Sequence, residues 1–285
     1  MTDYPECNIW LLKMNNYEIP RTRMEEISDM AEYFAESCCR SSAVILPQDI
    51  AGAIGLKYST GNYKEGFDGL TRYRNRRFHV FINTRQSDHL FIHRVRFSFA
   101  HELGHYTMPW HRQVLMQPGA RPHGSKLDYC FDSSAEREAE YYAACLLMPE
   151  KRMRRDIANR RFGFVLVDEL SKKYQVSITS TLIRLIGLNV YPLMVVCTRN
   201  NKIAWQRCTS DFPFYSILRG LTGEVPVNTC AGEYFDDGRK YSSTQEVYAD
   251  DWFLLRNPSD RRRKFSEHCV YYEPLKQVIS VLWER

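Results

Sequence analysis

The pentapeptide His-Glu-Leu-Gly-His at residues 101–105 constrains the fold more than any other part of the chain. Its apolar neighbours recur at helical spacing, which predicts a helix over residues 88–108 that begins at the N-cap Asp88. Positions i and i+4 share one face of a helix, so the imidazoles of His101 and His105 can bind the same ion. The sequence therefore predicts a metal site on a helix.

The predicted helix is largely apolar, so we expect it to be buried, where two imidazoles and a carboxylate are costly without partners. This context favours a zinc hydrolase over a chance match on a surface helix. In such an enzyme the ion acidifies a water molecule, and Glu102 accepts the proton and later delivers it to the leaving amine. We therefore predict Zn²⁺, although imidazole and carboxylate ligands also suit Mn²⁺ or Fe²⁺.

A hydrolytic zinc ion takes a third protein ligand and keeps a fourth position open. His111 has the third-histidine spacing of metzincins, but that pattern requires a glycine where this chain has Met108. Glu136 lies on the following predicted helix, an arrangement similar to that of gluzincins, and Glu140 lies four residues further on. Glu138 is interpreted as part of a solvated acidic face. The residues alone leave Glu136, Glu140 and His111 open as the third ligand.

Two motifs together resemble a known family. The first is Arg-Val-Arg-Phe-Ser-Phe-Ala-His-Glu-Leu-Gly-His at residues 94–105, and the second is Glu-Arg-Glu-Ala-Glu-Tyr-Tyr-Ala-Ala-Cys-Leu-Leu-Met-Pro at residues 136–149. Their order and content resemble the ImmA/IrrE family of metallopeptidases, and the resemblance covers residues 22–190. Two departures occur, since Glu140 replaces the usual asparagine and Tyr142 the usual phenylalanine.

The resemblance implies a role for four residues and a class of substrate. The metal ligands of the family fall on His101, His105 and Glu136, and its catalytic glutamate falls on Glu102. Family members typically cleave or inactivate an XRE-type helix-turn-helix repressor, often in mobile elements or stress-response loci, and so derepress its genes. We therefore expect a zinc-dependent endopeptidase whose partner is such a repressor.

Two other functions compete with this expectation. In one, the chain is a non-catalytic binding module that sequesters a transcription factor; in the other, it is a regulator that binds DNA directly. Residues 164–188 predict two helices joined by a tight turn, and the basic segment 151–161 precedes them. A helix-turn-helix shape does not by itself imply DNA binding. Arg184 is the one basic residue in the presumed recognition helix, so DNA contact is the weaker expectation.

The expected fold class is α+β with three parts. Residues 1–150 are expected to form a zincin-like metallopeptidase domain, residues 151–189 a helix-turn-helix-like module, and residues 190–285 a small β-rich domain. Residues 109–130 hold several prolines and glycines and predict a long loop. Because the connection 106–135 joins the two helices that carry candidate ligands, we expect it to form a wall of the substrate groove, with Trp110 or Leu115 offering apolar contact.

Composition excludes several classes of protein. The net charge of +5 is too small to imply nucleic acid by itself. We expect no membrane partner, because the sequence holds no apolar run long enough to cross a bilayer, and we expect no signal peptide. Nine cysteines without a Cys-x-x-Cys pair indicate a reducing cytoplasm rather than a disulfide framework. The sequence leaves the oligomeric state open.

Overall fold

The computed structural model describes residues 19–284 apart from 40–41, 43, 65, 86–92, 120–122 and 126–133. These residues form a mixed helix and sheet structure that divides into two compact units. The first unit takes in residues 19–161 and 168–180, and the second takes in 162–167 and 181–284. None of the helices in the described ranges has the length and apolar character that a membrane span requires.

The elements of the chain from residue 19 to residue 188 follow one another in this order: α1 Arg21–Cys38, α2 Pro47–Ala53, β1 Lys57–Gly61, β2 Gly69–Arg74, β3 Arg77–Asn83, α3 His93–Thr107, α4 Pro109–Leu115, β4 His123–Ser125, α5 Ser134–Leu147, α6 Glu150–Ile157, α7 Phe164–Tyr174 and α8 Ile178–Leu188. Both helices predicted within residues 164–188 are present, joined by residues 175–177.

The sheet of the first unit has the strand order β1-β3-β2-β4. Strand β3 pairs parallel with β1 and antiparallel with β2, and β4 adds antiparallel to β2. The turn between β2 and β3 is a two-residue hairpin loop, in which Asn75 and Arg76 both have positive φ angles. Such a loop matches the twist of the paired strands, and asparagine tolerates this conformation well.

Helix α3 carries the His-Glu-Leu-Gly-His residues and packs on α5, where the two backbones approach closely at Gly104. A Cβ at this position would lie 3.0 Å from Cδ1 of Tyr142 and 3.2 Å from its Cβ. Tyr142 is fully buried, and its burial raises the pKa of the phenol well above the usual range. The glycine thus brings the two helices that bear candidate ligands within reach of one another.

A buried arginine ties α3 to the C-terminal end of α7. Arg96 is 1% exposed and donates to the backbone carbonyl of Tyr174 and to the side chain of Gln175. Burial lowers the pKa of this guanidinium to about 10, so it remains charged at neutral pH. The charge lies at the C-terminal end of α7, where the last backbone carbonyls have no hydrogen-bond partner within the helix.

The long loop predicted for residues 109–130 is wrong in two places. Residues 109–115 form helix α4, because Pro109 stands at the first helical position, where its fixed φ angle favours a helix and its missing N–H is not needed. Residues 123–125 form β4. Asp88, the predicted N-cap of the metal-site helix, lies outside the described residues, as do all the residues between β4 and α5.

The elements that follow α8 belong to the second unit: β5 Leu193–Arg199, β6 Lys202–Cys208, α9 Cys230–Asp237, β7 Gln245–Tyr248, α10 Ala249–Trp252, β8 Lys264–Tyr272 and β9 Gln277–Glu284. Their antiparallel sheet has the order β6-β5-β9-β8-β7. Strand β7 ends at Tyr248, since Ala249–Trp252 form a helix in which Asp251 accepts from the backbone N–H of Tyr248.

The core of the second unit contains one buried carboxylate. Glu267 is 0% exposed and accepts hydrogen bonds from the backbone N–H groups of Cys230 and Ala231 at the start of α9. The indole of Trp252 and the hydroxyl of Ser280 donate to it as well. These donors and the positive end of the helix dipole compensate the desolvation of the charge. The described cysteines are free thiols, and all but Cys38 are buried.

Candidate metal centre

Three side chains from two helices converge in the first unit. Nε2 of His101 and Nε2 of His105, both on α3, lie 3.1 Å apart. Glu136, in the first turn of α5, places Oε2 3.3 Å from Nε2 of His101 and Oε1 3.2 Å from Nε2 of His105. Among the described residues, these three form a group whose candidate ligand atoms all lie within 4.8 Å of one another.

The chemistry of this donor set fits a zinc ion. Two ligands about 2.1 Å from a tetrahedral ion lie about 3.4 Å from each other, close to the separations seen here. Burial, together with His101 and His111, lowers the pKa of His105 to about 3, although the hydrogen bond with Glu136 opposes the shift. His105 is therefore neutral at physiological pH, the state in which an imidazole can donate a lone pair to a metal.

Glu102 is held beside this group by strand β2. Its carboxylate is 0% exposed, and Oε2 accepts a hydrogen bond of 2.6 Å from the hydroxyl of Thr71. A Cβ built at Gly69 would lie 2.6 Å from Oε1 of Glu102, well inside normal contact distance. The glycine leaves space for the carboxylate, and the threonine fixes its direction.

His111 and Glu138 lie on the other side of His105. Nδ1 of His111 is 3.1 Å from Nδ1 of His105, and Nε2 of His111 is 3.1 Å from Oε2 of Glu138. The indole of Trp110 donates to the same carboxylate oxygen at 2.6 Å, and the guanidinium of Arg23 lies 3.8 Å above the indole ring. Burial raises the pKa of Glu138, but the hydrogen bonds from His111 and Trp110 outweigh it, so the pKa is lowered overall.

The sequence agrees with this geometry. Residues 59–185 match the family model described as the IrrE N-terminal-like domain of the M78 peptidases. These residues therefore form an IrrE N-terminal-like domain. Over these residues the match bears out the predicted resemblance to the ImmA/IrrE family, and the family suggests a metallopeptidase role for the IrrE-like domain.

A solved structure, a "Mycobacterium tuberculosis transcriptional regulator", resembles the chain in fold. The similarity has a TM-score of 0.55 at 12% sequence identity and covers 92% of this chain and 82% of that chain. At this identity the comparison shows the shared fold alone. No curated protein matches the chain.

Within the IrrE-like domain, the three residues that the sequence left open as the third ligand lie in different places. Glu136 joins His101 and His105, whereas Glu140 and His111 lie outside the convergent group. The expectation that Glu138 is solvated is wrong, because the residue is only 5% exposed. It faces α4 on the side of α5 that the sequence pattern assigns to solvent. The sequence does hold a signal for this contact. Trp110 and His111 are neighbours in the chain, and their ring nitrogens require a hydrogen-bond partner such as Glu138 once they are buried.

Proposed function

We propose that the protein is a zinc-dependent endopeptidase. The observation that carries the proposal is the convergence of His101, His105 and Glu136 beside the buried carboxylate of Glu102. A purely structural site has no use for an additional buried carboxylate beside the ligands. Structural zinc sites also use four protein ligands, whereas catalytic sites use three and keep one position open.

The roles of the residues follow from their positions. His101, His105 and Glu136 would hold a zinc ion, which would supply Lewis-acid chemistry for polarising the scissile carbonyl and making water more acidic. Glu102 takes the proton from the attacking water and gives it to the leaving amine. Thr71 donates to Oε2 of Glu102 and so fixes the direction of the carboxylate that takes part in the proton transfer.

The proposed substrate is an XRE-type helix-turn-helix repressor in the cytoplasm, and its cleavage derepresses the genes that it controls in a mobile-element or stress-response setting. Two findings support this class of partner. The matched family suggests a peptidase, and the structural neighbour is a transcriptional regulator. Because that neighbour is a transcriptional regulator, direct DNA binding is the second candidate function.

Charge pairing disfavours DNA as the partner. Basic side chains near the helix pair have acidic partners on the same surface: Lys172 contacts Asp168, Lys173 contacts Asp156 and Arg160 contacts Glu169. DNA affinity depends on basic side chains that neutralise phosphates, and paired ones contribute less to it.

The test is cleavage of XRE-type repressors encoded in the same genome. Each purified repressor is incubated with the zinc-loaded protein or with its Glu102→Gln variant, and the products are identified by intact mass. We expect one repressor to be cut, and Glu102→Gln to bind the same zinc while cutting about 10²–10⁴-fold more slowly, because the amide cannot accept the proton.

Two other outcomes would contradict the proposal. Equal cleavage by Glu102→Gln would refute the mechanism. A stable complex with an uncut repressor, formed equally by both proteins, would identify a sequestering module. Fluorescence anisotropy with labelled operator DNA is run in parallel. If this protein itself binds the DNA without the repressor, it is a DNA-binding regulator.

A further inference from the structure

His111 and Glu138 form a buried hydrogen-bonded chain that ends on a proposed metal ligand. His111 is 6% exposed and Glu138 is 5% exposed. His111 contacts His105 through Nδ1 and Glu138 through Nε2, each at 3.1 Å. The first turn of α4 brings His111 to this position, because the chain is extended at Met108 and then reverses into the new helix.

The chemistry of the partners assigns each proton in the chain. The indole N–H of Trp110 can only donate, so Oε2 of Glu138 accepts it. The carboxylate has no proton to give, so Nε2 of His111 is also a donor to this oxygen. A neutral His111 then presents an acceptor at Nδ1, and His105 donates to it through its own Nδ1–H. The lone pair on Nε2 of His105 is left facing the other two converging ligand atoms.

We propose that His111 and Glu138 are positioning residues that hold His105 as its Nδ1–H tautomer, with Nε2 ready to bind the metal. The inference rests on the proposed role of His105 as a ligand. A ligand histidine binds more tightly when its second nitrogen is hydrogen-bonded, and loss of the partner typically lowers metal affinity about 10–100-fold. His111 thus acts on the ion through His105 and not as a ligand itself.

The first test is made on the metal-free protein, by long-range ¹H–¹⁵N correlation spectra of the histidine rings. We expect His105 in the wild type to be protonated at Nδ1 and unprotonated at Nε2. In His111→Phe, which keeps a ring and removes both nitrogens, the Nε2–H tautomer should become populated. A wild-type His105 protonated at Nε2, or a tautomer that is the same in both proteins, would overturn the inference.

The second test measures zinc affinity by competition with a chromophoric chelator. His111→Phe should raise the Kd about 10–100-fold. His111→Asn places its amide oxygen where Nδ1 was, so it should recover most of the lost affinity. Glu138→Leu should weaken binding less than His111→Phe, because His111 can still accept from His105. His79→Phe is the matched control, since His79 contacts Ser59 and not a candidate ligand.

The outcomes separate this inference from the proposed function. If the wild-type protein binds no zinc, the metal site is refuted. The tautomer spectra still test whether the hydrogen-bonded chain holds His105 as its Nδ1–H tautomer. Tight zinc binding that His111→Phe leaves unchanged refutes the positioning role and leaves the metal site intact. If His111→Phe fails to fold, the tautomer of the wild type and the affinity of His111→Asn decide the result.

Discussion

Replacing Gly69 with alanine should disable the proposed base while leaving the metal site intact. The new Cβ would lie 2.6 Å from both Cγ and Oε1 of Glu102, whereas ordinary contacts are at 3.4 Å or more. The carboxylate must therefore retreat by about 0.8 Å, and a misplacement of about 1 Å can cost about 10²-fold in rate. We expect kcat to fall about 100-fold, equivalent to about 2.7 kcal/mol in the barrier. Zinc content should be unchanged, because the three atoms nearest to the added Cβ all belong to Glu102 and none to a proposed ligand.

The assay is the initial rate of cleavage of the identified repressor, with zinc content measured on the same sample. Gly52→Ala is the matched control: it is the same substitution in helix α2, and the added Cβ meets nothing within 4 Å. It should leave cleavage unchanged and stabilise the helix by up to about 1 kcal/mol. A folded, zinc-loaded Gly69→Ala protein with the kcat of the wild type would refute the argument that β2 positions Glu102.

Three further perturbations test the site and the fold. Glu136→Gln should weaken zinc binding at least about 100-fold, beyond the usual effect of changing a residue that only contacts a ligand; a chelator competition that finds wild-type affinity would reject Glu136. Burial raises the pKa of Asp156, but the hydrogen bonds from Lys173 and Tyr174 outweigh it and lower the pKa overall, so Asp156→Asn should cost about 1–2 kcal/mol at pH 7. The difference in thermal stability from the wild type should vanish as the pH falls through the folded pKa, below about 4. Arg152→Met should cost about 2–4 kcal/mol in urea unfolding, because its guanidinium donates to three backbone carbonyls at and after the end of α1.

Local features of the fold were predictable because they depend on neighbours in the sequence. Helical spacing of apolar residues predicted α3, α5, α7 and α8. The two histidines of α3 share a face for the same local reason. Errors arose where one signal had two meanings: Pro109 was interpreted as part of a loop, but it stands at the first position of α4.

The sequence by itself determined that His101 and His105 face the same point, because both lie on one helix at a spacing of four. It left the third ligand open, since the periodicity of α5 says which residues share a face but not which face meets α3. Only the tertiary structure shows which face meets α3: Tyr142 packs against Gly104, and Glu136 lies in one group with the two histidines. Packing likewise buried Glu138 against His111, because contacts between separate helices depend on how the whole chain folds.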